Sequence, residues 1–249
     1  TVFTVSLCGG QEALFLIDSA VPAIPADQIE KKDRVRRIIP IKDAYRYHLE
    51  EKNILPLDMV ICQIDDEPPF GPIEILKADR KIRRHWGLAY RGGEQLQPWY
   101  VRGRKEPVVG KLRLIYSFSV KDLPRECALI IERSERYQIS INQQPYQKDT
   151  TEKWMGRCFD ILPLDIHMLR TGKNIIELTA DFRESLGIES IYLYGDFGVE
   201  LCGLQSALIA LPSMLKIDDL TKQGLPFYGA GITYQIEQLP KISDGERLG

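Results

Sequence analysis

Only three imidazoles are available for acid–base or metal chemistry: His48, His85 and His167. They lie far apart, in different segments, so no two share the short spacing of a ligand pair or of a base with its orienting partner. Each is expected at the surface or in packing. The densest carboxylate group, Asp65-Asp66-Glu67 before Pro68-Pro69, could offer oxygen ligands to a hard cation such as a structural Ca²⁺. A solvated turn at the end of a strand accounts for the same residues and is the favoured reading, so no cofactor is implied. A glycosidase needs two carboxylates across the scissile bond at defined separation. The chain has 35 acidic residues, and nothing in their spacing singles out such a pair. The P-loop, GxGxxG, HExxH and GxSxG signatures are all missing. Gly229-Ala230-Gly231 lacks a third glycine and leads into a strand pattern instead of a helix, which excludes a dinucleotide turn.

Cysteine chemistry is equally sparse. Cys8, Cys62, Cys127, Cys158 and Cys202 form no CxxC pair, which removes zinc-knuckle and thioredoxin-like sites. Apolar neighbours such as Val60-Ile61 and Ala128-Leu129 mark most of them as buried thiols acting as small hydrophobes. Unpaired cysteines point to the cytoplasm, with a periplasmic or extracellular setting left open.

Aromatic side chains in loops are what remains. Rings with Asp, Asn, Arg or Gln beside them can combine apolar contact with directional hydrogen bonds to a ligand. Trp99 and Tyr100, Trp154, Tyr194 with Asp196, and Phe227 with Tyr228 meet that description. Trp154, in the polar loop 149–157, is the leading candidate. The others have competing roles: Trp99 and Tyr100 could seal a contact between two parts of the chain. Asp196, between Gly195 and Phe197, could bond the backbone amides of a turn. Phe227 and Tyr228, following Pro226, could pack the last strand.

Strands must position these residues. Along 112–120, Leu112, Leu114, Tyr116, Phe118 and Val120 alternate with polar neighbours, broken only by Ile115, as in a half-buried strand. Ala128–Ile131 and the trio Tyr137, Ile139, Ile141 continue the pattern, with Asn142-Gln143 where a tight hairpin turn belongs. Further strands are expected at 158–162, 174–181, 190–194, 198–202, 207–211 and 232–236. Earlier ones are expected at 2–7, 13–18, 44–49 and 57–64. Helical signal is confined to 78–86, where Ile82 and Trp86 share a face, and to one turn at 165–169. Many short strands divided by Gly, Pro, Asp and Asn predict a mainly β protein built as a sandwich or barrel.

Composition agrees with a chain able to fill a core: 44% hydrophobic and 27% charged over 249 residues. Lys+Arg 33 against Asp+Glu 35 leaves a formal net charge of -2, without the basic excess of a dedicated nucleic-acid binder. The charged stretch 28–37 is expected to be a solvated face. No apolar run approaches the ~20 residues of a membrane span.

Several segments carry a resemblance. Leu169-Arg170-Thr171-Gly172-Lys173-Asn174-Ile175-Ile176-Glu177-Leu178 is similar to the turn-and-strand step of galactose-binding-like jelly rolls, known from the sugar-binding domain of family 2 glycoside hydrolases. In that step Gly172 would take a left-handed position and Asn174 would bond the turn's backbone. The segment 137–143 resembles the V-x-V-N-G hairpin of those domains, with Gln143 in place of glycine. Residues 191–199 and 221–229 are similar to segments near the C-terminus of large bacterial α-L-rhamnosidase-like hydrolases. Residues 53–58 resemble the strand preceding that terminal domain, and Arg91-Gly92-Gly93 with Gln97-Pro98-Trp99 its connecting loop.

The resemblance implies a jelly-roll β-sandwich at 108–240, preceded by the closing part of a second β-sandwich at 1–76. Residues 77–107 would form a linker with a short helix, and 241–249 a tail. It implies the non-catalytic, carbohydrate-binding accessory region of a longer glycoside hydrolase, whose catalytic domain would precede Thr1. The expected partners are carbohydrate and that catalytic domain, with no nucleic acid and no membrane span. Two alternatives stay open: a purely structural support without sugar affinity, and a self-contained hydrolase using an unrecognised carboxylate pair.

Overall fold

A computed structural model describes residues 44–91, 103, 105–147, 152–154, 158–203 and 205–236. The strands expected at 2–7 and 13–18, the charged stretch 28–37, and Cys8, Trp99 and Tyr100 lie outside them. The described elements run β1 (Arg46–Leu49), β2 (Asn53–Leu57), β3 (Met59–Ile64), β4 (Phe70–Glu74), α1 (Ile75–His85), β5 (Gly110–Val120), β6 (Cys127–Glu132) and β7 (Gln138–Ile141). They continue with β8 (Gln144–Pro145), β9 (Phe159–Pro163), β10 (Gly172–Phe182), β11 (Ile191–Gly195), β12 (Phe197–Cys202), β13 (Gln205–Ala210) and β14 (Ile232–Gln235). The chain is mainly β, as its alternation predicts.

Two sheets hold the core. The larger follows the order β12-β13-β5-β10-β7-β8, with β3 on the free half of β5 and β4 outside β3; the smaller is β2-β11-β6-β9. Inward residues of both sheets enter one hydrophobic cluster: Leu114, Tyr116, Ile176 and Leu178 from the larger, Leu55, Leu129, Leu162 and Leu193 from the smaller. The strictness of β5 shows why. Its alternate residues from Leu112 to Val120 are buried, while those between, Ile115 included, face outward. A separate ribbon pairs β1 with β14.

The division expected between residues 76 and 108 is not where the strands separate. Strand β2 pairs with β11 and β3 pairs with β5, so residues 53–64 complete the same two sheets as 110–210. Period-2 patterning reports that a strand has a buried face and is silent about which sheet it joins. The strand expected at 57–64 is likewise two strands, because the chain breaks at Asp58 and passes from the smaller sheet to the larger. Helix α1 starts earlier than its expected 78–86. Glu74 caps it, its carboxylate accepting the amides of Leu76 and Lys77, and Ile75, Ala78 and Ile82 form the buried stripe.

Local chemistry explains the turns. Asn142 and Gln143 both take left-handed φ, 50° and 70°, and join β7 to β8 in a two-residue hairpin. The Asn142 amide donates to the Met168 carbonyl and to Asn174 Oδ1, each at 2.8 Å, and its oxygen accepts the Ile175 amide. Asn174, fully buried, closes the turn before β10: its oxygen accepts the Arg170 amide and its nitrogen donates to the carbonyls of Arg170 and Gly172. Gly172 has φ 90°, open only to glycine at low cost.

Candidate functional site

Strand β11 carries the first ring pair. Its buried residues Ile191, Leu193 and Gly195 face the core, so Tyr192 and Tyr194 stand together on the outer face, both half-buried. Trp154 reaches the same face from the chain before β9. That segment is laid against β9 by two backbone bonds, Trp154 N–H to the Phe159 carbonyl and Ile161 N–H to the Glu152 carbonyl, both 3.1 Å. Asp160 reinforces it, accepting the Lys153 ammonium on one oxygen and the Ser134 amide, at 2.9 Å, on the other. Asp160 is only 5% exposed, and burial raises its pKa, but the Lys153 and Ser134 bonds outweigh this and hold it below the usual carboxylate range.

The Trp154 ring lies 5.8 Å from Tyr192 and 6.4 Å from Tyr194, with planes inclined by 47° and 54°. Phe159 backs it edge-on at 6.1 Å. These distances fall in the range of favourable aromatic pairs. Trp154 and Tyr194 form part of the wall of a groove of about 730 Å³. The end of β1 and the turn into β2 line the same groove, with His48, Glu50, Glu51 and Lys52, and Asp196 follows Tyr194. Beneath, the Tyr47 hydroxyl donates to the Pro212 carbonyl; burial, then the neighbouring Tyr234, pushes its pKa to about 12, so it stays a neutral donor.

Electrostatics in the groove are set by carboxylates. The Lys52 ammonium pairs with Glu126, and this hydrogen bond raises the lysine pKa and lowers that of Glu126. Asp196 Oδ1 accepts the Glu126 amide at 2.8 Å, the backbone role expected of it, while also lining the groove. The Tyr228 hydroxyl accepts the Glu51 amide at 3.3 Å and donates to the Gly231 carbonyl at 2.8 Å, bracing the rim from outside. Tyr228 precedes β14 and Phe227 is 39% exposed, so these two rings do not pack the last strand from within.

Of the seven candidates from the sequence, Trp154, Tyr194 and Asp196 meet at one groove, Tyr228 supports it and Phe227 is not among its lining residues; Trp99 and Tyr100 lie outside the described residues. Tyr192, Glu50, Glu51 and Lys52 were not anticipated. Tyr192 was readable from its i, i+2 relation to Tyr194. The 50–52 turn was hidden because it was expected in a different sandwich.

A larger cleft of about 1010 Å³ lies beside the loop after β10 and is lined by charges of both signs. Its arginines are engaged in structure. Arg91 donates to the Ile188 carbonyl and pairs with Glu189, Arg133 lies 3.8 Å from the Glu132 carboxylate, Arg136 donates to Ser185, and Arg183 to the Glu106 carbonyl. Asp65-Asp66-Glu67 form the turn between β3 and β4, with Asp65 Oδ1 accepting the Lys111 amide at 2.7 Å. Among the described residues no three His, Cys, Asp or Glu side chains gather as a metal-holding group, and no helix is long and apolar enough to cross a membrane.

No family model, curated protein or solved structure matches this chain.

Proposed function

We propose that this chain is a carbohydrate-binding region, a galactose-binding-like jelly roll that serves the catalytic domain of a glycoside hydrolase. The observation that carries the reading is the grouping of Trp154, Tyr192 and Tyr194 beside a groove lined by Glu50, Glu51, Lys52 and Asp196. Rings supply apolar faces that match sugar C–H groups, and charged oxygens and nitrogens supply the strong, directional hydrogen bonds that fix hydroxyls. The groove volume is within the range of small-ligand sites. The motif resemblance at 137–143, 169–178 and 191–199 supports the jelly-roll type and the accessory role.

The test is glycan binding by the 249-residue chain, compared with Trp154→Ala. The reading expects measurable affinity for at least one glycan and a loss of at least ~tenfold in the variant, which corresponds to about 1.4 kcal/mol. Absence of binding across a broad glycan array, or binding untouched by Trp154→Ala, rejects it and leaves structural support as the role. Release of reducing sugar, abolished by one carboxylate substitution, would instead establish a hydrolase.

A further inference from the structure

Resting on that reading, we infer that the groove selects a neutral, soluble glycan chain and rejects both acidic glycans and flat crystalline polysaccharide. Two independent features of the site point this way.

The first is charge. Glu50, Glu51 and Asp196 line the groove, and the one lysine among the described lining residues has its ammonium occupied by Glu126. A uronate or sulfate entering between these described side chains meets three carboxylates and no unpaired lysine among them. Like-charge repulsion at contact distance, with no compensating pair, is a means of excluding wrong partners. Neutral hydroxyls meet the same carboxylates as hydrogen-bond acceptors.

The second is the inclination of the rings. A flat polysaccharide surface presents coplanar sugar faces and requires coplanar rings to cover them. Trp154 is tilted by 47° to Tyr192 and by 54° to Tyr194. Rings so inclined present no common plane to a flat surface but can follow the turn of a single chain, and residues 48–52 line the same groove as Trp154 and Tyr194. A planar crystal face cannot reach into that angle.

The experiment titrates the full chain with neutral oligosaccharides built of glucose, galactose, mannose, xylose or rhamnose, and with oligogalacturonate and oligoglucuronate of equal length. Retention on crystalline cellulose is measured in parallel. The expected result is binding of a neutral oligosaccharide, at least ~tenfold weaker binding of either uronate, and no retention on cellulose. In the exposed double variant Glu50→Gln/Glu51→Gln the neutral-to-uronate preference should narrow by at least ~threefold. Uronates binding as tightly as neutral chains, an unchanged preference in the double variant, or retention on cellulose overturns this inference while leaving carbohydrate binding intact. Failure of every saccharide to bind rejects the proposed function itself, so the two failures are separable.

Discussion

Arg83→Met should destabilise the fold by about 3–5 kcal/mol, the range for breaking a buried ion pair from one side. Arg83 is fully buried in α1 and its Nε donates to Asp79 Oδ2 at 2.9 Å. Its other nitrogens donate to the carbonyls of Glu184 at 3.0 Å, Leu186 at 2.8 Å and Ala89 at 3.3 Å. One guanidinium therefore joins the helix to the loop that follows β10. Methionine retains most of the stem, so the cost is electrostatic: Asp79 is left 3% exposed, with one oxygen already unpartnered and the other newly so. Burial pushes the Asp79 carboxyl up from its ordinary value, against the opposing pull of Arg83. A folded-state pKa above the unfolded one gives a contribution that is present below about pH 4 and lost as pH rises through the folded value. Removing Arg83 raises the folded value further, so the variant's deficit should grow as pH rises above the ordinary carboxylate range of about pH 4. Asp79→Leu combined with Arg83→Met removes the buried charge and should recover part of the loss, giving a coupling of at least ~1 kcal/mol in the double-mutant cycle. Urea denaturation at several pH values measures all of this. A deficit below ~1 kcal/mol for Arg83→Met, or purely additive variants, would refute the assignment of Arg83 as a buried clamp.

Gly195→Ala should cost at least about 1–3 kcal/mol and also weaken glycan binding, because the added Cβ would run into the Glu126 carbonyl oxygen and push away the strand that bears Tyr194 and leads into Asp196; thermal unfolding and titration of the same sample check both. Asp160, held below its ordinary pKa by Lys153 and Ser134 despite its burial, contributes stability that is present above about pH 4 and lost as pH falls through its folded value. Asp160→Asn should therefore show a shallower fall of the unfolding midpoint between pH 5 and pH 3 than the parent, and an equal slope would show that Asp160 does not anchor the Trp154 segment.

What was legible in the sequence is what depends on neighbours along the chain. The alternation at 112–120 placed β5 and its buried face, and Asn142-Gln143 marked the hairpin turn through Asn142, whose type tolerates positive φ; Gln143, a less tolerant type, takes it as well. Gly172 and Asn174 announced the turn into β10, and both act as their types suggest. Helix α1 was displaced by three residues because its cap is Glu74, a residue type whose capping depends on geometry that spacing does not show. The partnership of β2 with β11 spans well over a hundred residues and leaves no local signature, so the sandwich was divided where its strands in fact pair. The groove inherits that limit. Trp154 and Tyr194 could be nominated as loop and strand aromatics, but Glu50, Glu51 and Lys52 face them only through the pairing of distant strands.

The same division bears on how far a motif resemblance can reach. Gly172, Asn174, Asn142 and Gly195 are among the residues that carry it, and each of these serves the backbone, in a left-handed turn, a closed loop, a hairpin or a close strand approach. Such positions are constrained by folding and are indifferent to what the surface meets. Trp154, Glu50 and Glu51 fall outside all of those segments. Tyr192, Tyr194 and Asp196 fall inside one, and of these Asp196 bonds backbone as well as facing the groove. On the proposed reading, ligand choice would therefore rest largely on Trp154, Glu50 and Glu51, which lie outside the shared segments. Substitutions at Glu50 and Glu51 should move affinity and sugar preference while leaving the unfolding free energy within about 0.5 kcal/mol of the parent, Trp154→Ala should lose affinity together with its ring contacts, and Asn174→Ala should lose stability and leave affinity in place. Truncating that buried amide strips three backbone partners at once, which at about 1 kcal/mol or more each is a loss of folding stability and not of recognition.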